Sequence, residues 1–173
     1  MSDFRNIVLK LIKGGSCVIP NVFYDDTEIV FAAVEKNGRA YLDASSRLQK
    51  NKELVLLAIK TFSYIYFNIP EELQYDPDII VEAVQHSRGC LWGSIPKSLR
   101  TNTEIVYRIL SSKMPIDYFG PDVFTNIDFI RVAITNPNLK LECLAQCRVV
   151  SNLGIVPQAV EDVLFLLICN PKF

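Results

Sequence analysis

The sequence predicts an all-α protein: a short α-solenoid or compact array of helical-hairpin repeats of about 25 residues each. Three observations predict it. A nine-residue motif recurs along the chain at a nearly constant interval. Each copy spaces its apolar residues for a helix rather than a strand. A second, shorter segment follows each copy. The motif Asp26-Thr-Glu-Ile-Val-Phe-Ala-Ala-Val34 returns as Asn51-Lys-Glu-Leu-Val-Leu-Leu-Ala-Ile59, Asp76-Pro-Asp-Ile-Ile-Val-Glu-Ala-Val84 and Asn102-Thr-Glu-Ile-Val-Tyr-Arg-Ile-Leu110. A weaker copy is Asn126-Ile-Asp-Phe-Ile-Arg-Val-Ala-Ile134, and successive starts lie 25, 25, 26 and 24 residues apart.

Each element follows from local chemistry. An incomplete first unit runs from Asp3 to Lys13 and stops at Gly14-Gly15. In every full copy the opening Asp or Asn is an N-cap, whose side chain accepts an orphan N–H of the first turn. The acid two residues on complements the positive end of the helix dipole, and Pro77 suits the first helical position. Apolar residues at the fourth, fifth, eighth and ninth positions make one buried stripe. Ala33, Ala58, Ala83 and Ala133 share a slot where a small side chain lets another helix approach; Ile109 departs from it. The second segment, Ile69-Pro-Glu-Glu-Leu73, matches Ile95-Pro-Lys-Ser-Leu99 and, without the proline, Ala44-Ser-Ser-Arg-Leu48. Ile19-Pro-Asn-Val-Phe23, Gly120-Pro-Asp-Val-Phe124 and Val156-Pro-Gln-Ala-Val160 are looser copies. Here the proline is expected to start a short helix whose Leu or Phe packs inward. One domain, 1–173, is thus expected, with units near 3–24, 26–49, 51–74, 76–100, 102–125 and 126–148 and a capping helix over 157–169. That last helix would bury Val160, Val163, Leu164, Leu167 and Ile168 before Asn170-Pro171 ends it.

Composition excludes several classes. Half of the 173 residues are apolar, which rules out low-hydrophobicity disorder. Eighteen basic and 19 acidic residues, for a net charge of −1, argue against a protein that tracks phosphates along nucleic acid. No apolar run reaches the roughly 18 residues of a membrane span. Asp3, Arg5, Lys10 and Lys13 break up any secretory signal. The five cysteines make an odd count with no Cys-x-x-Cys pair, so an intracellular, cytosolic setting is expected, a host cytosol included. They are expected mostly as small buried hydrophobes. Leucine-rich repeats would need a recurrent strand that is absent, and tetratricopeptide, ankyrin and HEAT units are longer.

These residues resemble a family of uncharacterised repeats, domain of unknown function 4116, built from strings of D-x-E-V-V-x-x-A-V, a Gly-containing turn and an A-S/P-x-x-L segment. Asp26 to Leu99 carries the resemblance best, including Lys36-Asn-Gly-Arg-Ala-Tyr41 at the turn and Ala44-Ser-Ser-Arg-Leu48 after it; it weakens to residue 135. The resemblance implies tandem helical repeats, found in proteins of intracellular bacteria, protists and large viruses, with no assigned activity and no catalytic residues to carry over.

Candidate chemistry is sparse. His86 is the single histidine, so a Ser-His-Asp or Cys-His mechanism would have to use it, with Cys90 four residues on. Its alternative is a helix C-terminal residue favouring the dipole. The Cys143 and Cys147 pair lies some two and a half repeats away, so no metal site is expected. The carboxylate pairs Asp25-Asp26, Glu71-Glu72 and Asp76 with Asp78 fall at helix starts, where capping accounts for them. Tyr41, Tyr66 and Trp92 occupy equivalent places in three units, flanked by Tyr64 and Phe67. They are either an inter-repeat packing ladder or a row of exposed binding anchors, with Arg39, Arg88, Lys97 and Arg100 as a basic rim. The expected function is a non-catalytic protein–protein interaction module, without cofactor, that offers a helical-repeat surface to a protein or peptide. Two alternatives stand beside it: a self-associating assembly subunit, with Phe165 and Leu166 of the closing helix as an apolar outer face, and an enzyme with an unrecognised Cys/His site.

Overall fold

The computed structural model describes residues 2–112, and over these the protein is helical throughout, with no strand. Four long helices follow the recurrent motif: α2 (Thr27–Lys36), α4 (Lys52–Thr61), α6 (Pro77–His86) and α8 (Thr103–Ser111). Before them comes α1 (Ser2–Lys13); between them lie three single-turn helices, α3 (Ser46–Gln49), α5 (Glu71–Gln74) and α7 (Lys97–Arg100). The expected units over 102–125 and 126–148 and the capping helix 157–169 lie wholly or largely outside the described residues, as do Cys143, Cys147, Cys169, Phe165 and Leu166.

The caps form as their chemistry requires. The side chains of Asp26, Asn51, Asp76 and Asn102 each accept a backbone N–H from the third helical residue, Ile29, Leu54, Ile79 and Ile105. The residues at the four stripe positions are buried in all four long helices: Ile29, Val30, Ala33 and Val34 in α2, Leu54, Val55, Ala58 and Ile59 in α4, Ile79, Ile80, Ala83 and Val84 in α6, Ile105, Val106, Ile109 and Leu110 in α8. Each large side chain so buried contributes about 1.5–3 kcal/mol. At the end of α1, Gly15 takes φ +113° while the Ser16 N–H reaches back to the Leu11 carbonyl at 3.1 Å, a Schellman-type stop.

Two expectations are corrected. From one copy of the sequence motif to the next the chain forms not two helices but three helical elements. Between long and single-turn helix runs a 3₁₀ segment, Gly38–Asp43 or Ser63–Asn68, with a shorter one at Trp92–Ser94. Its period of three escapes a search tuned to helical i, i+4 spacing. Pro70 and Pro96 do not begin the single-turn helices; they are extended N-caps with ψ 141° and 138°, one residue ahead. Inward packing also varies, Leu48 being buried and Leu73 and Leu99 half-buried.

By its own contacts the chain divides into two compact units, Met1–Ser87 and Arg88–Phe173. Within the first, α1 packs on α2, α2 on α4 and α4 on α6, and the segments Gly38–Asp43 and Ser63–Asn68 lie against α4 and against one another. In the second, α7 packs on α8. No helix among the described residues is long and apolar enough to cross a membrane.

Candidate functional site

The 3₁₀ segments decide which side chains reach the surface. Residues three apart eclipse one another in such a helix, so Arg39 and Leu42 share one side of the first segment, Tyr64 and Phe67 one side of the second. All four are exposed, Leu42, Tyr64 and Phe67 by about half. Their neighbours turn inward: Ala40 and Tyr41, and likewise Ile65 and Tyr66, are buried.

The two inward tyrosines are anchored alike. The Tyr41 hydroxyl donates to the Gln49 carbonyl at 2.7 Å, and the Tyr66 hydroxyl to the Gln74 carbonyl at 3.0 Å. Each phenol thereby holds its 3₁₀ segment to the end of the following single-turn helix. Burial pushes the Tyr41 phenol up to about 12 and raises that of Tyr66 as well. Trp92, in the equivalent place, is 1% exposed. None of the three therefore offers an open aromatic face, and the outward aromatics are Tyr64 and Phe67 on either side of Tyr66.

Gly38 sets how closely the ridge sits on α4. A methyl group there would collide with the Ala58 carbonyl oxygen and come within 2.6 Å of Thr61 Oγ1. Ser63, also buried, and Gly89 occupy the matching positions. Beside this approach, the Arg39 guanidinium lies over the Phe62 ring at 4.6 Å, and the Phe62 and Tyr64 rings are 6.2 Å apart. Phe67 meets Tyr66 edge-on at 5.9 Å. The first unit thus carries a ridge of the exposed Arg39, Leu42, Tyr64 and Phe67 beside the half-buried Phe62: largely aromatic, with one stacked cation. Such a surface suits an apolar or aromatic side chain of a partner.

Of the other sequence candidates, Arg88 is exposed and left-handed at φ 52°, and it falls in the second unit together with Lys97 and the half-buried Arg100. His86 ends α6, its Nδ1 3.0 Å from the Glu82 carbonyl oxygen and 3.1 Å from the Glu82 carboxylate. Cys90 is exposed and Cys17 half-buried, so neither is a core residue as expected; Cys17 sits in a loop and Cys90 in the outward slot that Arg39 and Tyr64 hold in earlier units. Two of the three carboxylate pairs are engaged on both members. Hydrogen bonds from the Arg5 side chain, at 2.6 and 3.0 Å, hold the Asp26 carboxyl below its ordinary range. The Ser45 hydroxyl and then Arg47 lower that of Asp25. Lys52 bridges Asp76 at 2.8 Å and Asp78 at 2.6 Å. Among the described residues no three His, Cys, Asp or Glu side chains are grouped to hold a metal ion.

Leu42 drew no notice in the sequence, and Tyr64 and Phe67 stood only as neighbours of Tyr66. The readable signal was a spacing of three, Arg39 to Leu42 and Tyr64 to Phe67, repeated 25 residues apart.

Over the described residues, fold and surface together define an all-helical structure with an aromatic ridge beside capped helices. Residues 26–74, which span α2 to α5 and both ridge segments, match the family model described as "Domain of unknown function (DUF4116)". No curated protein and no solved structure matches the chain.

Proposed function

We propose that the protein is a non-catalytic interaction module: a helical-repeat array of about 25-residue units that presents its 3₁₀ ridge to a protein or peptide partner. One observation carries the reading. Equivalent inward slots hold similar residues (Gly38 and Ser63, Ala40 and Ile65, Tyr41 and Tyr66), whereas equivalent outward slots differ in chemistry. Arg39, Tyr64 and Cys90 share one outward slot; Leu42, Phe67 and Gly93 share another. A constant interior with varied exposed positions is how repeat proteins make recognition surfaces. The serial packing of α1 on α2, α2 on α4 and α4 on α6 supports the array, and the free thiols of Cys17 and Cys90 suit a reducing compartment such as the cytosol.

Parallel affinity captures with wild type and a Tyr64→Ser/Phe67→Ser double variant test the ridge. Both residues are about half exposed, so the variant should melt within roughly 2 °C of wild type. It should nevertheless lose the bound partner. Identical captures from the two proteins would refute the ridge as the contact surface.

A further inference from the structure

The apolar face of α1 is wider than its contact with α2. Val8 and Ile12, 5% and 0% exposed, lie on the side that packs on α2; Phe4, Ile7 and Leu11, 53%, 56% and 60% exposed, lie beside them round the helix, and the Phe4 ring meets Phe23 at 5.6 Å. By contrast α2 is flanked by helices on two sides, α1 and α4. Between the turns of α1 the exposed side forms an open groove of about 470 Å³ lined by Ile7, Lys10, Leu11 and Gly14. Those residues stand at i, i+3, i+4 and i+7, the four that make a hole for a knob from a neighbouring helix.

We propose that the occupant is α1 of a second copy, paired antiparallel about a two-fold axis at Ile7. The charges select this arrangement. Asp3 and Lys10 project on one flank of Ile7, and Phe4 and Leu11 on the other, by the 3.6-residue period. Among the described residues neither Asp3 nor Lys10 has an ion-pair partner within its own chain. Antiparallel pairing sets Asp3 of each copy within one residue of the level of Lys10 of the other, twice over, and Phe4 of each copy level with the Lys10 that lines the groove of the other. Parallel pairing would set Asp3 level with Asp3 and Lys10 with Lys10. It would also align the helix dipoles unfavourably. A 12-residue helix offers only about 18 Å of length. The contact therefore falls short of the roughly 800 Å² per partner of a standard interface, and the dimer should dissociate in the micromolar range.

Sedimentation velocity of the full chain over roughly 1–500 μM tests this. The mass should climb from monomer toward dimer. Leu11→Asp and, as a second variant, Ile7→Lys should weaken association at least about tenfold with unchanged far-UV circular dichroism and melting temperature. Asp3→Lys should weaken it most at low salt, and adding Lys10→Asp should restore it. A wild type that stays monomeric overturns the proposal, as does a dimer that survives both apolar variants. A charge-swapped double variant no tighter than Asp3→Lys alone overturns the antiparallel arrangement. The ridge variant Tyr64→Ser/Phe67→Ser should dimerise like wild type, so this reading and the ridge reading fail separately.

Discussion

Gly38 and Tyr41 show how much of this protein turns on single side chains in the 3₁₀ ridge. At Gly38 the limit is space, because the added methyl of Gly38→Ala meets the backbone of α4 rather than a mobile side-chain tip. Overpacking of this kind costs about 1–3 kcal/mol, so the urea midpoint should fall accordingly with the m-value unchanged. Tyr41 couples packing to a hydrogen bond and to pH. Because burial raises its folded pKa to about 12, its contribution is complete below the ordinary phenol value near 10 and is lost as pH rises through the folded value. Tyr41→Phe should therefore be about 1 kcal/mol less stable at neutral pH, with the Gln49 carbonyl losing its donor, and should decline less steeply in alkali. Denaturant titrations at neutral pH and near pH 11 measure both effects.

The long helices are specified by their ends and stripes, and those features were legible in the sequence. All four N-caps and all sixteen stripe positions fall where the motif places them. Asn51→Ala removes a side-chain acceptor for two N–H groups of α4 and should cost about 1 kcal/mol in thermal or chemical denaturation. The ties between elements were not legible. Arg5 of α1 grips Asp26 and Glu28 at the start of α2, a link across more than 20 residues. Since these carboxyls titrate lower in the folded protein, their contribution is complete above the ordinary carboxylate range and drains away as pH falls through the folded values. Arg5→Gln should lower stability at pH 7 and flatten the acid limb, so that its urea midpoint and that of wild type converge only below the folded values of these carboxyls. A constant difference between the two proteins at all pH values would contradict that assignment.

At the scale of the molecule, the first compact unit holds its own series of packed helices and both ridge segments. A fragment of residues 1–87 should accordingly be helical by circular dichroism and melt cooperatively, and a non-cooperative transition would show that its core is incomplete. Exposed apolar residues lie along the ridge and on α1, and also at Val18, Val22, Tyr75 and Tyr107. Along the ridge, units differ by design of their outward slots; on α1, the series has no helix before it within the described residues.

The chain by itself determined where the long helices lie, how they are capped and which of their faces turn inward. Capping and the 3.6-residue period act within a few residues and leave a direct trace in the order of amino acids. Tertiary structure alone decided that Tyr41, Tyr66 and Trp92 are buried while Leu42, Tyr64 and Phe67 are exposed, and that Arg39 stacks on Phe62. Adjacent aromatics are chemically alike. Which of them enters the core depends on how each 3₁₀ segment packs against α4, an approach the first segment makes through the space left at Gly38.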